Sequence, residues 1–350
     1  MGHATRSAAI ANVLIEHQHD VVFAASGKAY DFLKQEYPRH ELIYFPSFKI
    51  SYSKSSFTTL KIFLKLPVIL YHIFKEHKKA RELTHQKTID VLVSDNRLGL
   101  WGKNYYSVYI THQTRISLPG AFKPFESLLA FLMKSMFINR FDECWIPDMK
   151  DGLSGKLSNS MIINPPCRHL GWVSRFTHLN PVKDIKPGRA LAIISGPEPC
   201  RTYFEKKVIQ ALESVNMEAI LLRGLPSDNS TIDVAGNIRV YNHLDSGRLK
   251  YLIQEAEFII ARSGYSTIMD LMHEHTPAIL VPTPGQTEQL YLARHLAGKA
   301  LPFVFAEENK LDLKIQLKEL NRKKASSTAT ISACNPEKAI IEFENEYWGS

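Results

Sequence analysis

Residues 261–297 read Ala-Arg-Ser-Gly-Tyr-Ser-Thr-Ile-Met-Asp-Leu-Met-His-Glu-His-Thr-Pro-Ala-Ile-Leu-Val-Pro-Thr-Pro-Gly-Gln-Thr-Glu-Gln-Leu-Tyr-Leu-Ala-Arg-His-Leu-Ala. Short apolar runs end in small and polar residues. Glu257–Ala261 is a strand candidate, and Arg262-Ser263-Gly264 a tight turn rich in donors. Ser266 or Thr267 is placed to cap a helix over Ile268–His275, which Pro277 stops. Ala278–Val281 reads as the next buried strand and Pro282–Gln289 as a second polar loop. Two helix N-termini then lie side by side at the ends of adjacent parallel strands, where a doubly wound sheet holds phosphorylated ligands.

The rest of the chain repeats this rhythm. Strands are expected at Asp20–Ala25, Glu41–Phe45, Asp90–Ser94, Val108–Thr111 and Glu143–Ile146, with helices at Ala4–His17, Ala29–Glu36 and Phe125–Ile138. A second series has strands at Ala190–Ile194, Ala219–Leu222 and Ile238–Tyr241 before the opening stretch. Pro and Gly cluster over 165–188. The fold class expected is α/β: two Rossmann-like parallel-sheet domains facing a cleft. The first domain covers 1–170, a linker 171–188 and the second domain 189–334. Asn335-Pro336 starts a C-terminal helix over 335–350 that is expected to pack back on the first domain. A Rossmann half ordinarily opens with a strand, yet this chain begins at Met1-Gly2-His3 directly on the turn. The first strand is expected to be missing through a start at an internal methionine.

A length of 350 residues suits two cores, and 45% hydrophobic with 22% charged residues is ordinary for a globular protein. The four cysteines, Cys144, Cys167, Cys200 and Cys334, form no Cys-x-x-Cys pair. Neither a disulfide framework nor a zinc site is expected. No run reaches membrane-spanning length and no apolar signal segment opens the chain, so a cytoplasmic location is expected. The net charge of +8 is concentrated: residues 49–87 hold nine Lys or Arg against Glu76 and Glu82. Amid many apolar residues, that segment either lies on an anionic membrane surface, here the inner face of the plasma membrane, or packs on the core with a solvated basic face. Nucleic acid is not an expected partner, since the aromatics are not interleaved with the charges, and no obligate protein partner is evident.

Gly2-His3-x-x-Arg6 at a helix start, His112-Gln113 at a strand end, then Arg262-Ser263-Gly264-x-x-Thr267, Asp270, Pro277-Ala-Ile-Leu-Val-Pro282 and Gln289 resemble the family 28 glycosyltransferases, the MurG-like enzymes of GT-B fold. The resemblance runs over nearly the whole chain and is strongest at 261–297. It implies that Arg262, Ser263, Gly264 and Asp270 lie around the donor nucleotide, with Asp270 on the ribose hydroxyls, and Gln289 near the sugar. Ser195 and Gly196 match a loop over the diphosphate, although the family's Gly-Gly-Ser is here Ser195-Gly196-Pro197-Glu198-Pro199. Arg175 matches a linker arginine; Arg201 could also offset diphosphate charge. His3 and His112 match histidines with catalytic roles near the acceptor. Gln113 and Arg115 replace the family's Glu and Asn, which implies a different acceptor. Arg6, Asp95, Asn96, Arg97 and Gln113 are the acceptor-side candidates; Asp95-Asn96-Arg97 reads equally well as a turn with an internal ion pair.

The activity implied is inverting transfer of a hexose or N-acetylhexosamine, with a donor of the UDP-N-acetylglucosamine type, to a hydroxyl of a lipid-linked or cell-envelope acceptor. The acceptor oxygen attacks the anomeric carbon as UDP departs. Helix N-termini and arginines can meet the diphosphate charge. The sequence has no Asp-x-Asp clamp, so no metal and no cofactor is required; the UDP-sugar is a substrate. Nucleotide-sugar hydrolases, UDP-sugar 2-epimerases and a non-catalytic sugar-nucleotide or lipid-binding protein share the fold and remain alternatives.

Overall fold

The structure, a computed structural model, describes residues 2–46, 66–112, 136–150, 152–157, 164–180, 188–225, 231–234, 236–326 and 336–349. Most of the helix expected over 125–138, the basic segment before residue 66, and Gln113 lie outside these residues. The chain divides into two compact units, one of Met1–Tyr44 with Val173–Ala333 and one of Phe45–Trp172 with Cys334–Ser350.

The first unit is built on a seven-stranded sheet. Its strands are β7 (Arg189–Ile193), β8 (Ala219–Leu222), β9 (Thr231–Val234), β10 (Ile238–Tyr241), β11 (Ala256–Arg262), β12 (Ala278–Val281) and β13 (Phe303–Phe305). They lie in the order β13-β12-β11-β7-β8-β10-β9. All neighbours are parallel except β9 on β10. β8 and β12 are buried at every position, as strands covered on both faces must be, hence their unbroken Ala-Ile-Leu character. Ala190, Ala192, Phe204, Val208, Leu212, Phe258, Ile260, Ile279 and Val281 form the core on one face.

Residues 1–44 group with this unit rather than with 45–170, the domain expected from the sequence. The helix Gly2–Glu16 presents Ala4, Ala8 and Ala11 to Phe23, Phe32 and Leu33, small side chains that let the backbones approach. β1 (Phe23–Ala25) and β2 (Leu42–Tyr44) pair in parallel as a sheet of their own. The physical reason for the grouping is a set of long-range bonds. The Ser246 amide donates to Glu36 at 3.0 Å, and Asn12 Nδ2 donates to the His178 ring at 2.8 Å. Tyr37 Oη lies 2.6 Å from Asn12 Oδ1, and burial, with Glu36 beside it, pushes the phenol's pKa up.

The second unit carries β3 (Val91–Asp95), β4 (Tyr106–Ile110), β5 (Glu143–Ile146) and β6 (Cys167–His169), parallel and in that order. A helix, Leu66–Gln86, precedes β3. The C-terminal helix Pro336–Trp348 packs on this sheet through Phe343, whose ring meets Trp145 edge-on at 5.2 Å and Tyr106 at 5.7 Å. Arg168 bridges Glu143 and Glu346, both at 2.6 Å. Burial, and then Glu143, push the Tyr106 phenol up to about 12.

Phe343 is 2% exposed, whereas Ile341 on the same helix is 39% exposed. Phe343→Ala is expected to cost about 3–5 kcal/mol in urea-induced unfolding, and Ile341→Ala about 0.5 kcal/mol or less. Equal losses would contradict this seating of the helix.

Candidate functional site

Because β12, β11 and β7 are adjacent and parallel, the loops leaving their C-terminal ends lie together. Arg262, the last residue of β11, ties them. Its Nη1 donates to Pro282 O at 3.2 Å, and its Nη2 to Cys200 O at 3.2 Å and to Glu308 at 2.5 Å. Its guanidinium lies 3.9 Å over the Phe204 ring. The side chain is 1% exposed, and desolvation lowers its pKa against the pull of Glu308. Arg262 therefore faces the interior of its unit. The loops themselves are what it positions.

Ser263 and Gln289 brace the same edge. Ser263 Oγ donates to the Gln289 carbonyl at 3.3 Å, and Gln289 Oε1 accepts from the Thr283 amide at 2.7 Å. The helix Tyr265–His273 starts earlier than expected. Gly264 is its N-cap and no side chain caps it. Ser266, an expected cap, instead donates to the Gly2 carbonyl at 3.1 Å, so the starts of the 2–16 and 265–273 helices meet within one unit. Gly264 has φ −74°. A Cβ built there meets nothing nearer than Thr267 Oγ1 at 3.8 Å and Gln289 Nε2 at 3.9 Å. Neither the backbone conformation nor the atoms of the described residues require glycine at this position.

Asp270 is also turned inward. At 4% exposed, its Oδ1 accepts from Ser174 Oγ at 2.9 Å and its Oδ2 from Arg175 Nε at 3.0 Å. Both oxygens are engaged by the 174–175 turn. Lys250, 4% exposed, holds the same segment by donating to Phe176 O at 3.2 Å and, at 2.5 Å, to Leu179 O.

In the loop after β7, Gly196 adopts φ 117°, which only glycine takes easily, and Ser195 is half-buried. Arg201 does not face this loop as a free cation. It binds Glu198 at 2.5 Å and Glu205 at 2.6 Å. Glu198 also accepts from Thr202 Oγ1 at 2.8 Å and from the Thr202 amide at 3.3 Å. Burial would raise this carboxyl, but the bonds from Thr202 and Arg201 outweigh it and hold its pKa down. A carboxylate thus occupies the start of the helix Cys200–Glu213, where phosphate was expected.

His3 is exposed, and Arg6 Nη2 lies 3.1 Å from its Nδ1. A guanidinium can only donate, so Nδ1 accepts and a neutral His3 carries its proton on Nε2. Arg6, an acceptor candidate, is 3% exposed. In the second unit His112 is buried at the end of the β4 run. Asn96, at φ 60°, accepts from Tyr109 Oη at 2.9 Å. Arg97 donates to Pro46 O at 2.6 Å, pairs with Glu76 at 2.7 Å and covers the Phe45 ring at 4.4 Å. Asp95 ends β3, so the 95–97 triplet is a turn whose ion pair reaches outside it, to Glu76.

Sequence reasoning did not single out Ser174, Lys250 or Glu308. Glu198 had a readable signal, since Arg201 and Thr202 follow it at helical spacing; the other three bond partners remote in sequence.

Two family models match the chain: "Glycosyltransferase family 28 C-terminal domain" over residues 205–343, and "Glycosyl transferase family 1" over 1–111. A comparison with curated proteins finds no match. Among solved structures, the spinosyn forosaminyltransferase SpnP is similar at 11% identity and TM-score 0.64, over 99% of this chain and 96% of that one. The calicheamicin glycosyltransferase CalG4 gives 14% identity and TM-score 0.61, over 98% and 94%. SnogD from Streptomyces nogalater gives 13% identity and TM-score 0.61, over 97% and 95%. At these identities the likeness shows the fold.

Burial lowers the pKa values of His178, His243 and His273 in the first unit. The unfolded chain, with histidines near about 6.5, then takes up protons first as pH falls. The melting temperature is therefore expected to drop between about pH 7.5 and about pH 5.5. A flat or rising melting temperature over that window would refute the assignment.

Proposed function

From a chain that is a family 28-like glycosyltransferase of the GT-B fold, we propose an enzyme that transfers a hexose or N-acetylhexosamine, with inversion, from a UDP-sugar of the N-acetylglucosamine type to a hydroxyl of a lipid-linked or cell-envelope acceptor. The observation that carries the donor part is Gly264. It opens an uncapped helix directly after a central strand, and the fold itself leaves room there for a side chain. A glycine that the backbone does not need is explained by close approach of a ligand, and the helix start favours an anion such as a diphosphate.

In this reading Ser263, Gly264, Ser195, Gly196 and Gln289 line the donor. Arg175, held by Asp270, turns toward the nucleotide, while Arg262 and Arg201 fix the loops. His3 and His112 retain their proposed catalytic roles; with its proton on Nε2, His3 acts as a donor unless Arg6 releases Nδ1. Asp95, Asn96 and Gln113 stay as acceptor-side candidates. No step calls for a metal.

The lipid part is supported by the helix Leu66–Gln86. Val68, Tyr71 and Phe74 are 44%, 63% and 52% exposed, and the exposed Lys75 and Lys78 follow on the same side. Among the described residues no helix is long and apolar enough to cross a membrane. This one suits an anionic surface, with rings at the acyl boundary and lysines at the headgroups.

Gly264→Ala should leave stability within about 0.5 kcal/mol and weaken UDP binding by calorimetry at least about tenfold, near 1.4 kcal/mol. Unchanged affinity removes UDP from this helix start. Release of UDP and free sugar at full rate without acceptor is the hydrolase result. Replacing both Tyr71 and Phe74 by Ser should lower binding to anionic vesicles at least about tenfold in co-sedimentation; no loss refutes the membrane face.

A further inference from the structure

Cys144 and Cys167 are register partners on β5 and β6, a pairing that continues through Trp145 with Arg168 and Ile146 with His169. Side chains of directly paired residues on neighbouring parallel strands leave the same face of the sheet. Strands about 4.7–4.9 Å apart put their Cα atoms inside the range of about 4.4–6.8 Å that a disulfide spans. The Cys167 thiol donates to the Pro165 carbonyl at 3.6 Å, and both cysteines are free. Their surroundings differ. Cys144 is completely buried, beside Tyr109, Phe141 and Ile146, while Cys167 is exposed. Packing explains the first as a small hydrophobe but leaves the second without a reason to be cysteine.

The pairing of the two thiols divides the chemistry. It holds the Cys167 thiol below its ordinary pKa and, with burial, Cys144 well above it. Cys167 is thus the nucleophile that solvent reaches, and Cys144 the thiol that only Cys167 reaches. β6 has three residues and is an edge of its sheet among the described residues, where side-chain rotation and a shift of the strand can bring the sulfurs together.

We propose that Cys144 and Cys167 form an exchangeable dithiol that closes into a disulfide on reaction with a small-molecule disulfide such as glutathione disulfide. The Cys167 thiolate attacks one sulfur of the oxidant. The oxidant's S–S bond breaks, and one glutathione leaves as thiolate and takes up a proton. Cys144 then gives up its proton and attacks Cys167 Sγ of the mixed disulfide, expelling the second glutathione. Two protein thiols lose two electrons and one glutathione disulfide gains them. The product ties the edge strand β6 covalently to β5 and closes the chain between them into a ring.

The test equilibrates the full, reduced chain with glutathione and glutathione disulfide in graded ratios, followed by acid quench, alkylation with N-ethylmaleimide and peptide mass mapping. Expected is one linked peptide pair containing Cys144 and Cys167, lighter by two hydrogens, with alkylation of both falling together by at least about tenfold toward the oxidised end. Cys144→Ala should instead accumulate glutathione on Cys167, and Cys167→Ser should leave Cys144 alkylated at every ratio after unfolding. A stable mixed disulfide at Cys167 in the unaltered chain, two free thiols at the oxidised end, or a link from either to Cys200 or Cys334 overturns the proposal. The unaltered chain alone decides these outcomes, so the test holds even where a variant fails to fold.

Discussion

Arg262 brings a full positive charge to the end of β11, an interior strand of a seven-stranded sheet, and buries it. Removing a guanidinium from water costs several kcal/mol unless its donors and its charge are met. Here the charge and the Nη1 and Nη2 donors are met by Glu308, by the Pro282 and Cys200 carbonyls and by the face of Phe204, while Nε has no hydrogen-bond partner among the described residues. The partners come from three segments: the loop after β12, the helix Cys200–Glu213 and the turn at Glu308. The requirement to satisfy one charge therefore fixes where those segments converge, which is also where Gly264 and Gly196 lie. A lysine could not serve, because its single ammonium lacks the flat fork that spans separated carbonyls and stacks on a ring.

The same device recurs on a smaller scale. Asp270 and Lys250, each 4% exposed, hold residues 174–179 by bonds to side chains and to backbone. Their partners are mostly backbone groups of an irregular segment, which has no ladder of its own and would otherwise be buried unsatisfied. Val173 is where the first unit resumes after Tyr44. The crossing segment therefore belongs to that unit through buried electrostatics as much as through apolar packing.

The strands were legible where their chemistry is uniform. Ala219–Leu222, Ile238–Tyr241, Ala278–Val281 and Glu143–Ile146 appear with the bounds that their apolar runs suggest. β6, with Cys-Arg-His, and β9, with Thr-Ile-Asp-Val, were not, because an edge or antiparallel strand need not be apolar on both faces. The parallel architecture followed from the order of elements. The grouping of residues 1–44 did not, since it rests on Asn12, Glu36 and Tyr37 finding partners far along the chain or across helices. At the site, residue types were readable and their directions were not. An arginine or aspartate beside a glycine turn suits a phosphate or a ribose, and it suits a buried pair equally well. Only the neighbours supplied by the fold, Glu308 for Arg262 and Arg175 for Asp270, decide between them.

Those inward turns change the electrostatics of the proposed donor edge. With Arg201 paired to Glu198 and Glu205 and Arg175 to Asp270, the side chains expected to offset a diphosphate already have acidic partners. Glu198 goes further, since its carboxylate accepts from Thr202 and Arg201 at the start of the 200–213 helix. A phosphate arriving there would have to displace a bound anion of the same sign. Among the described residues no acid caps the start of the 265–273 helix: Gly264 offers no capping side chain and Ser266 is turned to Gly2. Aligned peptide dipoles give a helix start a partial positive charge that no arginine need supply. In the proposed donor site the positive end offered to an anion is therefore the helix start at Gly264, after β11, supplied by backbone in place of side chains.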